Sequence, residues 1–172
     1  MFDVVFVCLG NICRSPMAEA VFSRIAKERG VALSFRISSR ATSDCEEGNP
    51  VYPPAMKVLK SHGYDFSHRA VKLGIAGVKN ADYVLVMDDM NLSDVTAMTC
   101  GRYAEKIFKL GFFDGWKNGV TDVENGRGKD IDDPWYTRDF ERTYKEVYAA
   151  CNGFMDYLLC EHAEAFAYDK RH

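Results

Sequence analysis

A cysteine and an arginine near the N-terminus are separated by five residues, in the stretch CLGNICRSP that ends at Pro16. If this bend curls so that its backbone N–H groups point inward, it forms a site for an anion. Gly10 can adopt a positive φ freely, and Asn11 tolerates the left-handed region better than most residues. Arg14 adds a planar fork of donors that matches two phosphate oxygens. The residue types and their spacing therefore predict a phosphate-binding loop.

The same surroundings predict a nucleophile at Cys8. Inward N–H groups, the guanidinium of Arg14 and the positive end of a following helix would all favour the thiolate form of this cysteine. A phosphate held in the loop would present its phosphorus to the sulfur. We therefore expect covalent catalysis through a phosphocysteine.

A proton donor for the leaving oxygen is predicted in the stretch IDDPWY, far from the loop in sequence. Asp133 precedes a proline and is therefore biased towards extended backbone geometry. A carboxyl group near the site could act first as general acid and then as base for the attacking water. Asp132 competes with Asp133 for this role. Trp135 and Tyr136 would form an aromatic wall beside the acid.

Alternating strand and helix signals surround these residues. Apolar runs predict strands at residues 3–8, 33–39, 82–87 and 106–110, and periodicity with end signals predicts helices at 15–30, 53–63, 91–99 and 137–165. Ser15 is the expected N-cap of the first helix, and the last helix carries a continuous apolar stripe that includes Tyr148. This order predicts an α/β fold, a single domain with a four-stranded twisted parallel sheet and helices on both faces. Ligands bind beyond the carboxyl ends of such strands, which is where the loop lies.

Composition excludes several other classes of protein. The chain of 172 residues suits one domain, and its net charge of −3 argues against a general nucleic-acid binder. Without a signal peptide pattern or an apolar run of roughly 20 residues, we expect a cytoplasmic protein with no membrane partner.

Six cysteines occur without a CxxC pair or a Cys/His cluster, which argues against a disulfide framework and a metal site. Residues 114–131, rich in Gly, Asn and Asp, are predicted to form a mobile surface loop.

The stretch CLGNICRSP between a strand and a helix, together with the distal DPWY, resembles the low-molecular-weight protein tyrosine phosphatases, over nearly the whole chain from Val4 onwards. The resemblance implies that family's Rossmann-like fold, termed phosphotyrosine protein phosphatase I-like, as one domain over residues 1–172. It implies hydrolysis of phosphotyrosine and small aryl phosphates without a cofactor or a metal. Phosphotyrosine proteins are the implied substrates, phosphate or another oxyanion is the implied ligand, and a monomer with weak self-association is the implied state.

The family's residue roles carry over onto the matching positions of this chain. Cys8 would be the nucleophile, Arg14 the phosphate clamp and Asp133 the general acid. Ser15 would hydrogen-bond the sulfur of Cys8 and help it leave in the second step. Cys13 would be the neighbouring thiol that traps oxidised Cys8, which implies an enzyme regulated by redox state.

Further residues would support the loop and the substrate. Asn11 would hold the loop in shape through bonds that involve Ser39 and His68. Cys45 stands where eukaryotic members usually carry Trp or Tyr beside the substrate ring, which leaves substrate preference open. The implied phosphate-binding and supporting residues are Leu9, Gly10, Asn11, Ile12, Cys13, Ser15, Ser39 and His68. The implied substrate wall is Cys45, Trp135 and Tyr136.

Two other activities of the same fold stay open. A thioredoxin-coupled arsenate reductase needs further cysteines after the third strand, whereas the stretch VLVMDDMN contains none and the next is Cys100. Phosphoarginine phosphatases tend to carry Thr at the position of Ile12, and this bulkier residue favours a flat phenyl phosphate. Outside the enzymes, a catalytically inactive phosphate-binding module is the remaining alternative.

Overall fold

The computed structural model describes residues 1–116 and 128–167. Its strands are β1 (Phe2–Cys8), β2 (Phe35–Ala41), β3 (Tyr83–Val86) and β4 (Ile107–Lys109). Its helices are α1 (Arg14–Glu28), α2 (Pro53–Ser61), α3 (Ile75–Asn80), α4 (Asp89–Met98), α5 (Pro134–Thr137), α6 (Phe140–Glu161) and α7 (Ala163–Ala167). Most of the predicted loop at 114–131 falls on residues 117–127, outside the described part of the chain.

The four strands form one parallel sheet in the order β2–β1–β3–β4. Strand β1 is central, and in register its Val4 pairs with Ile37 of β2 on one side and Tyr83 of β3 on the other. The chain passes from β1 to one neighbour and later returns to the other, so β1 ends at a topological switch point. In an open parallel sheet this carboxyl edge is where ligands bind. The predicted α/β fold with a four-stranded parallel sheet is confirmed.

Side chains of β1 alternate between two apolar layers, because successive residues of a strand point to opposite faces. Phe6 packs on one face against Phe22 of α1, with ring centroids 5.6 Å apart, and Phe22 in turn contacts Phe154 of α6 at 5.3 Å. Val5 and Val7 belong to the other layer, which α3 and α4 cover. The prediction of helices on both faces is therefore confirmed.

The last long helix is shorter than predicted. It begins at Phe140 because Arg138 adopts a left-handed φ of 59° and Asp139 caps the helix by accepting from Arg142 N–H at 2.9 Å. Tyr148 is exposed, so the prediction that it belongs to a continuous buried stripe is wrong. None of the helices in residues 1–116 and 128–167 is long and apolar enough to cross a membrane.

One other local expectation fails near the site, and one helix was missed. Helix α1 begins at Arg14 with Cys13 as N-cap, so Ser15 lies inside the first turn and does not cap the helix. Its hydroxyl is engaged by the loop instead, as described below. Helix α3 was not predicted, since it has six residues and buries only Val78.

Candidate active site

The loop after β1 turns its polar groups towards the sulfur of Cys8. This cysteine is buried, and the backbone N–H of Asn11 donates to its Sγ over 3.3 Å. Ser15 Oγ lies 3.0 Å from the same sulfur. Because Ser15 Oγ accepts from Asn11 Nδ2 at 2.8 Å, its own hydrogen can turn to the sulfur, which is nearer than the Arg40 carbonyl at 3.4 Å. The loop therefore offers the sulfur two hydrogen-bond donors.

Asn11 is the centre of the hydrogen bonds that shape the loop. It is fully buried with a φ of 54°, the left-handed conformation that Asn tolerates. Its Nδ2 also donates to Ser39 Oγ at 2.9 Å, while its Oδ1 accepts from Val71 N–H at 3.0 Å and from His68 Nε2 at 2.8 Å. An amide oxygen can only accept, so His68 carries its hydrogen on Nε2. Burial lowers the pKa of His68, which favours this neutral form.

Arg14 is only 1% exposed and points its guanidinium at the strand ends. Its Nη1 donates to Asp88 Oδ2 at 2.5 Å and to the Ile131 carbonyl at 3.1 Å, and its Nη2 donates to Asp133 Oδ2 at 2.8 Å. A guanidinium has five N–H donors, and these bonds within the described residues use three. The other two, one on Nε and one on Nη2, are left for a phosphate.

Two carboxylates hold Arg14, and each is itself held at the start of a helix. Asp88 caps α4, with Oδ1 accepting from Asn91 N–H at 2.7 Å, and Asp133 caps α5, with Oδ1 accepting from Trp135 N–H at 3.0 Å. Asp132 instead pairs with Arg142 on the surface at 3.2 Å. The structure therefore brings Asp133, and not Asp132, to the phosphate loop.

A cavity of about 370 Å³ opens above the loop. Its lining residues are Cys8, Leu9, Gly10, Ile12, Cys13, Arg14, Ser43, Cys45, Glu46, Asp133, Trp135 and Tyr136. One side is aromatic, because Trp135 packs against Tyr52 with ring centroids 5.1 Å apart and Tyr136 is 75% exposed. Cys45 lies exposed on the rim. All three predicted wall residues therefore border the cavity, while Asn11, Ser15, Ser39 and His68 support the loop from behind.

Gly10 serves a different purpose from the one predicted. Its φ is not positive, but a Cβ on this residue would come within 3.2 Å of Glu46 Cγ. The missing side chain therefore lets Glu46 pack over the loop at the mouth of the cavity. Sequence reasoning assigned Ser43 and Asp88 no place in the site. Asp88 could have been found, since it follows β3 and the carboxyl ends of neighbouring parallel strands adjoin.

The six cysteines are all unpaired. Cys13 is buried and lines the cavity beside Cys8, and burial, with the charges of Cys8 and Asp133, raises its pKa. Cys100 is exposed after α4 and does not line the cavity. No third thiol of a redox relay therefore stands at the end of β3.

Comparison with known proteins agrees with this geometry. The family model described as low molecular weight phosphotyrosine protein phosphatase matches residues 3–164. The chain belongs to that family. The human member is 36% identical over 161 residues, covering 90% of this chain and 94% of that protein. The resemblance inferred from the loop is thereby confirmed.

Solved structures of the family share the fold. A low molecular weight protein tyrosine phosphatase from Streptococcus pyogenes is 34% identical, with a TM-score of 0.75, and covers 92% of this chain and 93% of its own. The YwlE arginine phosphatase, a mutant with a phosphorylated active-site serine, is 26% identical with a TM-score of 0.75 and covers 91% of this chain and 95% of its own.

Proposed function

We propose that this phosphatase hydrolyses phosphotyrosine in proteins, and small aryl phosphates, through a phosphocysteine formed on Cys8. One observation carries the proposal: Arg14 donates to Asp133 Oδ2 at 2.8 Å, and both residues line a single cavity with Cys8. A nucleophile, a phosphate clamp and a proton donor thus converge at the carboxyl edge of the sheet. This convergence argues against an inactive phosphate-binding module.

In the first step, the loop N–H groups and the two remaining donors of Arg14 hold the phosphate dianion. The Cys8 thiolate attacks phosphorus, and the bond from phosphorus to the phenolic oxygen breaks. The leaving oxygen takes the proton of the Asp133 carboxyl group. Phosphocysteine and a neutral phenol result.

In the second step, the Asp133 carboxylate removes a proton from a water molecule that attacks phosphorus. The bond from sulfur to phosphorus breaks, and the Cys8 thiolate and inorganic phosphate are released. Ser15 Oγ–H and the Asn11 N–H stabilise the departing sulfur, since both lie within hydrogen-bond distance of it. Cys8 is thereby returned to the thiolate form for the next substrate.

The contact between Arg14 and Asp133 places the acid beside the bound phosphate. The guanidinium donates to Asp133 Oδ2 at 2.8 Å and keeps two donors for the phosphate dianion, so one side chain holds both groups. The carboxyl group of Asp133 is thereby kept close to the leaving oxygen.

Several finer points belong to the same proposal. The aliphatic Ile12 and the ring of Trp135 line the cavity and suit a flat aryl group better than a guanidinium. Six unpaired cysteines suit the reducing cytoplasm. We propose a cytoplasmic monomer with weak self-association, one domain over residues 1–172, which acts on phosphotyrosine proteins without a metal.

A substrate panel tests the proposal. Phosphotyrosine, phosphoserine and phosphoarginine peptides would be compared with arsenate under reducing conditions, and we expect turnover of the phosphotyrosine peptide alone. Cys8→Ser should abolish this turnover while vanadate still binds. Preferred turnover of phosphoarginine or arsenate, or appreciable phosphatase activity in Cys8→Ser, would overturn the assignment.

A further inference from the structure

A buried lysine pairs with the segment that leads to the proposed acid. Lys109 is the last residue of β4 and is 5% exposed. Its Nζ pairs with Asp130 Oδ1 at 2.7 Å and with Asp89 Oδ1 at 3.0 Å. These two carboxylates more than offset the effect of burial, so the pKa of Lys109 is raised and the ammonium stays charged. Lys109, Asp89 and Asp130 are named the lysine cluster below.

The lysine cluster is joined to the segment that carries Asp133. Asp130 lies three positions before Asp133 in sequence, and Ile131 between them is fully buried. The Ile131 N–H donates to the Met87 carbonyl at 2.8 Å. The remaining attachments of the segment to the site are made by Arg14, through the Ile131 carbonyl and Asp133.

These attachments differ in what the reaction does to them. In the proposed reaction Asp133 donates its proton as a neutral carboxyl group, which pairs less strongly with a guanidinium than a carboxylate does, so the bond from Arg14 to Asp133 weakens when the acid must be in position. The bonds of Asp130 to Lys109 and of Ile131 to Met87 do not involve the phosphate. They therefore continue to hold the segment during proton transfer.

We propose that Lys109 is a positioning residue for the general acid and acts through Asp130. This inference rests on the proposed function above. Lys109 does not touch the substrate. The lysine cluster thus sets the position of Asp133 independently of Arg14.

The test uses leaving groups of different acidity. A displaced acid affects poor leaving groups most, because strongly acidic phenols depart without a proton. Displacement of a catalytic group by about 1 Å can lower a rate by up to about 10²-fold. Lys109→Met and Asp130→Asn should each lower kcat/KM for phenyl phosphate roughly tenfold. For dinitrophenyl phosphate, kcat/KM should change less than about twofold. Inhibition by inorganic phosphate should keep the parent's constant.

The matched control is Asp132→Asn, the same substitution two positions along the segment. Asp132 pairs with Arg142 on the surface, and Arg142 retains Glu146 as a partner at 3.0 Å. This variant should show the parent's dependence on the leaving group. If Lys109→Met does not fold, Asp130→Asn carries the test, since its carboxylate is 43% exposed and the amide keeps its shape.

Asp133→Asn separates this inference from the function on which it rests. If Asp133→Asn steepens the dependence on the leaving group and the lysine-cluster variants do not, the positioning role is refuted and the proposed function stands. A uniform loss for all leaving groups with weaker phosphate inhibition also refutes it, because the cluster would then support the whole site. If Asp133→Asn shows no steepening, the acid assignment and the positioning role both fail.

Discussion

Replacement of Asn11 should destabilise the fold because one buried side chain connects four parts of the structure. Its amide makes four hydrogen bonds, to Ser15, Ser39, His68 and Val71. Each is worth about 1 kcal/mol net. Two partners keep other bonds, since Ser39 still donates to Glu19 and Ser15 still lies beside Cys8. We therefore expect Asn11→Gly to lower the free energy of unfolding by about 3 kcal/mol.

The comparison with alanine isolates the backbone. At a φ of 54° an alanine pays about 1–2 kcal/mol of steric strain that glycine does not. Glycine is more flexible than alanine in the unfolded chain, which destabilises the folded glycine variant by about 0.4–1 kcal/mol and reduces this difference. Asn11→Ala should therefore be less stable than Asn11→Gly by about 0.5–1 kcal/mol.

Urea and thermal unfolding measure both differences. In a protein of this size, a loss of about 3 kcal/mol corresponds to a fall in Tm of roughly 6–12 °C. The control is Asn152→Ala on α6, whose amide makes one exposed hydrogen bond to the Tyr148 carbonyl, and it should stay within about 0.5 kcal/mol of the parent. A loss below about 1 kcal/mol in both Asn11 variants, or a glycine variant less stable than alanine, would refute the reasoning.

Three further predictions concern redox state, pH and metals. Peroxide should convert Cys8 and Cys13 to a disulfide that dithiothreitol reverses, and Cys13→Ser should recover poorly; a bond from Cys8 to Cys45 in non-reduced digests would contradict this. Because burial lowers the pKa of His68, the unfolded chain takes up a proton first as pH falls below about 6.5, and stability should decline there. His68→Gln should flatten that decline in urea titrations between pH 7 and 5, and an unchanged slope would exclude His68 as its cause. Turnover should survive EDTA, whereas loss that a divalent metal restores would contradict a site that relies on Arg14 and backbone N–H groups.

The phosphate loop could be predicted from sequence because its chemistry is local. Cys8, Asn11, Arg14 and Ser15 lie within eight consecutive residues, so their spacing alone places them around one centre. The strands were equally accessible, since buried parallel strands are short apolar runs. The ends of the helices were harder to predict. Ser15 has the side chain of an N-cap, but it lies inside the first turn of α1, where its hydroxyl group accepts a hydrogen bond from Asn11.

Residues that reach the loop from afar were decided by the tertiary structure. Asp132 and Asp133 are neighbours of the same type, and adjacent side chains of an extended segment point in opposite directions. Burial of Ile131 sets which of them faces Arg14, and this depends on contacts with β3 and the core. The same holds for Asp88, which reaches Arg14 because β3 lies beside β1 in the sheet.

The sequence by itself determined the fold class and predicted the nucleophile and the clamp, because apolar periodicity and a contiguous motif express them within short windows. Only the tertiary structure decided which carboxylate contacts Arg14, that the missing side chain of Gly10 makes room for Glu46, and that Lys109 pairs with Asp130. Each of these depends on the order of strands and on the packing of residues more than twenty positions apart. Such distances are set when the sheet assembles, and no local pattern encodes them.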